Sequence, residues 1–202
     1  LKNQSDEINF ENITTSELYK VNLNGNATLF KEAAMYYGER ISPDGNFIML
    51  TTIQKPFSYV VPLYRFPSRT IVYDARGKEI KIVNEVPLSE IMPKGFMAVR
   101  KGKREMAWRN DKPATLSYVV ALDEGDPANK VDFRDEVFLW NAPFTSEATS
   151  LTKVPQRYAD ITWGNDNVAF LTDQWYDTRN TKTYLINPAN PAQQPKVITD
   201  RN

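Results

Sequence analysis

The chain has no histidine and no cysteine among its 202 residues. Without thiols it has no disulfide, no thiolate nucleophile and no thiolate metal site. Without imidazole it lacks the ligand on which zinc and most transition-metal sites depend, which leaves only an all-oxygen site for a hard cation. A Ser-His-Asp mechanism fails for the same reason, because nothing here takes the serine proton and returns it to the leaving group in the usual way. An excess of charge of one sign is also missing. Lys plus Arg and Asp plus Glu number 25 each, so no net field draws nucleic acid or an anionic membrane. No stretch approaches the roughly 18 apolar residues that a membrane-spanning helix needs. The expectations are therefore no cofactor, no metal, no nucleic-acid partner and no membrane partner.

The opening Leu1-Lys2-Asn3-Gln4-Ser5-Asp6-Glu7 lacks the basic-then-apolar pattern of a secretory signal. There is no initiator methionine, so the sequence is expected to start inside a longer gene product, which leaves the compartment open. Three triplets, beginning at Asn3, Asn12 and Asn26, match the N-glycosylation pattern, which matters only in a eukaryotic secretory setting.

What is present points to β-structure. Hydrophobic residues make up 41% and charged residues 25%, a balance that favours a packed globular chain over disorder. Short β-branched and aromatic stretches recur between turn residues, without a sustained helical period. The thirteen prolines suit turns and strand ends. A repeat then chooses among β architectures. Arg40-Ile41-Ser42-Pro43-Asp44-Gly45-Asn46-Phe47-Ile48 is strand, tight turn, strand, and the segments around Asp111 and Asp166 have the same form. Asp, Asn and Gly fit such turns through side-chain hydrogen bonds and left-handed backbone angles.

The three aspartates are 67 and 55 residues apart, and a four-stranded propeller blade takes about 40–45 residues. Each interval fits one blade plus inserted loops. The expected strands are 37–41, 47–53, 69–74 and 79–83; 104–108, 115–121, 135–140 and 149–153; and 158–163, 168–173, 181–186 and 196–199. A hairpin over Asn24-Gly25 joins 17–23 to 27–30. The predicted fold is all-β: a partial β-propeller of about three four-stranded antiparallel blades plus an N-terminal hairpin. As one domain, 1–202, it divides into the end of a preceding blade (1–36) and blades at 37–103, 104–157 and 158–202.

Several segments resemble a known family. They are Lys55-Pro56-Phe57-Ser58-Tyr59-Val60-Val61-Pro62-Leu63-Tyr64-Arg65-Phe66-Pro67, Ser89-Glu90-Ile91-Met92-Pro93, the stretch 99–116, Arg157-Tyr158-Ala159-Asp160-Ile161-Thr162-Trp163 and Trp175-Tyr176-Asp177-Thr178-Arg179. In order and together they resemble the prolyl oligopeptidase family of serine peptidases, in its glutamyl endopeptidase branch. That resemblance implies an N-terminal β-propeller followed by an α/β-hydrolase domain that carries the nucleophile, acid and histidine. No G-x-S-x-G elbow occurs here, so no catalytic residue carries over and the resemblance covers propeller alone. It implies two partners, the hydrolase domain of the same parent chain and peptide substrates.

Meander geometry places the long loops. Connections alternate between strand ends, so the Asp-centred turns share one face and the loops 54–68, 84–103, 122–134 and 174–180 the other. Loops on a rigid scaffold commonly carry function. The candidates for substrate gating or domain contact are Lys55, Tyr64, Arg65, Arg100, Trp175, Tyr176 and Arg179, with Lys101 and Lys103 beside them. Arg offers carboxylates a planar fork, and Tyr and Trp give rigid amphipathic contact. The competing reading is a solvated basic rim with aromatics packed between blades. Asp123-Glu124-Gly125-Asp126-Pro127-Ala128-Asn129 fails the EF-hand pattern and is expected to be a solvated hairpin tip. An open arc of blades leaves sheet faces uncovered, so self-association is also expected. The alternative to a peptidase propeller is a non-enzymatic propeller that binds proteins or carbohydrates.

Overall fold

A computed structural model describes residues 1–202. The chain forms two compact units, 1–91 and 92–202. The first unit opens on a helix, α1 (Gln4–Thr14), that the sequence pattern does not announce. Its start is nevertheless well capped. The Asn3 side chain accepts a hydrogen bond from the Asp6 N–H, and Asp6 and Glu7 sit in the first turn, where the helix dipole favours negative charge. None of its residues is fully buried. With no apolar stripe, α1 carries no periodic signal.

Two strands follow, β1 (Ser16–Val21) and β2 (Ala27–Ala34), paired antiparallel as the expected hairpin. The next sheet runs in sequence order through β3 (Tyr36–Ile41), β4 (Phe47–Ile53), β5 (Ser68–Asp74) and β6 (Glu79–Val86). Its first turn shows why Asp-Gly was informative. Asp44 accepts from the Ser42 hydroxyl and the Asn46 N–H, the Ser42 hydroxyl oxygen accepts from the Phe47 N–H, and Gly45 takes a φ of 71°.

The second unit holds two more four-stranded antiparallel sheets in sequence order. One is β7 (Arg104–Trp108), β8 (Thr115–Ala121), β9 (Asp135–Asn141) and β10 (Thr149–Val154); the other is β11 (Arg157–Asn165), β12 (Val168–Trp175), β13 (Asn180–Ile186) and β14 (Lys196–Arg201). Val119, Val137, Leu151 and Val154 from the first pack with Ala169, Leu171, Tyr184 and Ile186 from the second. At about 1.5–3 kcal/mol for each large apolar side chain fully buried, this shared core dominates the unit's stability. Strand alternation puts Tyr118, Phe138 and Trp140 on the opposite face of the β7–β10 sheet, where Tyr118 stacks on Phe138 at 5.3 Å. The architecture is the expected one, four-stranded antiparallel propeller sheets preceded by a hairpin, with observed strands within four residues of the expected ends.

Candidate functional site

In the first unit the 54–67 connection folds onto α1. Phe10 of the helix meets Phe57 edge-on at 5.1 Å and Phe66 at 6.0 Å, while Phe57 stacks on Phe66 at 5.7 Å. Around this aromatic box Lys55 pairs with Glu11 at 2.8 Å. The Ser58 hydroxyl donates to Glu90 at 2.6 Å, and the Ser89 N–H donates to the Arg65 carbonyl at 3.0 Å. The stretch that carries the family resemblance is thus fixed between α1 and residues 88–90. Tyr64 and Arg65 lie in a single 3-10 turn, Leu63–Arg65. Tyr64 is exposed, and the Arg65 guanidinium stands 5.9 Å from its ring.

In the second unit three long connections converge. A buried ionic network holds them. Arg157, at the start of β11, makes a two-pronged pair with Asp123 at 2.6 and 3.0 Å, donates to Asp135 at 2.9 Å and donates through Nε to the Met97 carbonyl at 3.0 Å. Arg134 adds a second guanidinium to Asp123 at 2.8 Å, and Arg104 pairs with Asp135. Asp123, Asp135, Arg157 and Arg104 are all buried. Burial alone would raise the Asp123 pKa, but hydrogen bonds from Arg157 and Arg134 outweigh it and hold the carboxyl below the usual range.

The 123–129 segment is therefore not the expected solvated tip. Its first carboxylate is taken by two arginines and the Gly125 N–H, which leaves no open oxygen face for a cation. Gly125, at φ 75°, lies where an added Cβ would stand 2.1 Å from the Val99 carbonyl oxygen, and its own carbonyl accepts from the Val99 N–H. Only glycine allows that approach. The sequence pattern carried no sign of this network, because its members are scattered from 97 to 157 and a lone Asp or Arg looks like surface.

On this base lies an aromatic and cationic cluster. Arg134 stacks on Trp175 at 4.0 Å, Phe96 stacks on Tyr176 at 4.3 Å, and the Arg179 guanidinium sits 3.8 Å over the Tyr176 ring. Arg179 has φ 56°, an uncommon left-handed setting for a residue with a side chain. Beside it is a cleft of about 160 Å³ bordered by Met97, Trp175, Arg179 and Asn180. Trp175, Tyr176 and Arg179 are thus brought together, joined by Phe96 and Met97, which sequence reasoning did not single out. Arg100 stands apart from the cluster, its guanidinium donating to the Lys101 carbonyl at 3.2 Å. Lys101 pairs with Glu124 at 2.8 Å, and Lys103 lies 4.3 Å over the Trp140 ring. Arg179 has no ion-pair partner.

No family model matches the chain. Two curated relatives match all of it, both described as probable glutamyl endopeptidase, chloroplastic. The one from Oryza sativa subsp. japonica is 35% identical over 204 residues, 22% of its own length. The one from Arabidopsis thaliana is 32% identical over 204 residues, 21% of its length. The chain spans about a fifth of these relatives. Among solved structures, an oligogalacturonate lyase from Vibrio parahaemolyticus superposes with a TM-score of 0.56 at 14% identity, over 92% of this chain and 48% of that one. An acylaminoacyl peptidase from Pyrococcus horikoshii gives 0.52 at 16% identity, over 90% and 28%. Identities that low speak to fold alone, and they agree with the propeller sheets. By sequence the chain is similar, from end to end, to about a fifth of two proteins described as probable glutamyl endopeptidases, and by fold it is a stretch of β-propeller.

Proposed function

We propose that this chain is the non-catalytic propeller portion of a serine peptidase, which controls peptide access to an α/β-hydrolase domain supplied elsewhere in the parent protein. The observation that carries this reading is the 35% identity to a probable glutamyl endopeptidase over the whole chain. The absence of histidine and cysteine supports the non-catalytic half, since neither a Ser-His nor a Cys-His pair can be built here. The gating half draws on the loops. In the second unit they present Trp175, Tyr176 and Arg179 from a buried ionic base, and in the first the 54–67 stretch presents Tyr64 and Arg65 from an aromatic box. Rigid aromatic and guanidinium groups suit docking of acidic peptides or of a neighbouring domain.

The isolated chain is expected to release no product from glutamate-containing or proline-containing peptides, whereas the full parent cleaves the former. Turnover by the isolated chain that survives repurification and is blocked by a serine-directed inhibitor overturns the non-catalytic half. A parent that cleaves no peptide overturns the peptidase reading.

A further inference from the structure

Strand β10 pairs on one side only, with β9. Along its other edge runs a groove of about 440 Å³, within the size range of small-ligand and peptide sites. Leu151 and Tyr184 line it and also belong to the buried core, so that part of the groove is rigid. Pro191 and Pro195, from the connection between β13 and β14, line it too. Proline has no N–H to give, so these two positions cannot donate to the β10 edge. The groove has a single charged lining residue, Lys153, which makes no ion pair. Glu136, its cross-strand neighbour, is held by the Ser150 hydroxyl at 2.6 Å.

We propose that this edge is a binding site for an extended segment of a partner protein. The segment adds to β10 as a further strand, sets an apolar side chain over Leu151 and Tyr184, and places an acidic residue against Lys153. An uncovered strand edge supplies main-chain hydrogen bonds, and alternate side chains supply selectivity. Charge sets the partner's chemistry, because a lone cation in an otherwise neutral groove favours a flanking carboxylate. It also disfavours a second copy of this chain, which would bring another Lys153 to the same seam. The inference is independent of the peptidase reading, since it uses neither the loop cluster nor a catalytic domain.

The test uses the 202-residue chain and fluorescence anisotropy with dye-labelled synthetic peptides that alternate Val or Leu with Thr. One set is flanked by Glu, one by Lys, and one is Glu-flanked with alternate backbone nitrogens methylated. The Glu-flanked set should bind, and backbone methylation should weaken it by about tenfold or more, through loss of strand hydrogen bonds. Lys153→Glu, an exposed change that leaves the core alone, should reverse the preference between Glu and Lys flanks. No binding by any set, binding indifferent to methylation, or a preference unchanged by Lys153→Glu overturns the proposal. Dimerisation in sedimentation that is lost when the edge is blocked by Lys153→Pro, at the position whose N–H faces away from β9, would assign the groove to a second copy, and would equally overturn it.

Discussion

Asp173 and Asp123 are both buried carboxylates of the second unit, yet their surroundings push them in opposite directions. Asp173 has no cationic partner at contact distance. Its burial raises the pKa to about 6, against the lowering effect of hydrogen bonds from the Gln156 N–H at 3.0 Å and the Tyr184 hydroxyl at 3.2 Å. The folded chain therefore holds this proton where the unfolded chain, near 3.8, has lost it. Its contribution to stability is fully present below the unfolded value and is lost as pH rises through about 6. Asp173→Asn removes the titration while keeping an acceptor. Urea unfolding at pH 4 and pH 7.5 should show the variant gaining on the wild type at the higher pH, by on the order of 2 kcal/mol. A difference that is constant with pH would refute this account.

Asp123 carries the reverse sign. Its lowered pKa contributes stability above the unfolded value, and that stability is lost as pH falls through the folded one. Asp123→Ala leaves Arg157 without its two-pronged partner, in a site where Arg157 is only 3% exposed. Removing one partner of a buried ion pair costs about 3–5 kcal/mol, and the Asp135 carboxylate that still holds Arg157 at 2.9 Å keeps the loss at the lower end of that range. Denaturant unfolding of Asp123→Ala at pH 7 should show a loss of that size, and the loss should shrink as pH drops into the range where Asp123 itself is protonated.

At the scale of elements, the strands were legible because the β-signals were local. Ser42-Pro43-Asp44-Gly45-Asn46 specifies its turn through its own side chains, and Phe47-Ile48-Met49-Leu50 is a continuous apolar run, half-buried at its start and buried at Met49 and Leu50, that suits a central strand. Helix α1 was hidden because its anchoring is tertiary. Its one aromatic contact, Phe10, reaches rings 47 and 56 residues later in the chain. The candidate loops were legible as positions but not as contacts, since Arg134 on Trp175 and Phe96 on Tyr176 join separate connections. For the same reason the Asp123 network escaped notice. Phe10→Ala is expected to release α1 from the aromatic box and cost about 1–3 kcal/mol, allowing for its partial burial. Amide exchange should then speed up across 57–66 while the core strand 115–121 keeps its protection. If 57–66 exchanges as in the wild type, the helix does not fix that loop.

Over the whole molecule, positive and negative charges cancel, so any electrostatic selectivity of the chain must be local. The candidate cations are not equal in this respect. Lys55 is matched by Glu11 and Lys101 by Glu124, whereas Arg179 is exposed, without an ion-pair partner, and seated on Tyr176. An unmatched guanidinium held on a ring keeps its planar fork oriented at little entropic cost, which favours carboxylate capture. Under the proposed peptidase function, Arg179→Glu in the full parent should therefore lower kcat/KM for acidic peptides by about two- to fivefold more than for neutral ones at low salt. The gap should narrow as the Debye length falls to ~10 Å at 0.1 M and below that at higher salt. Arg179→Lys keeps the charge but loses the fork and the flat stacking surface, so it should retain most of the salt-dependent preference and lose part of the affinity. If Arg179→Glu lowers both peptide classes equally and also lowers Tm, the side chain is serving the packing of Phe96 and Tyr176 rather than selecting peptides. If it changes neither class, charge at this cluster does not govern access.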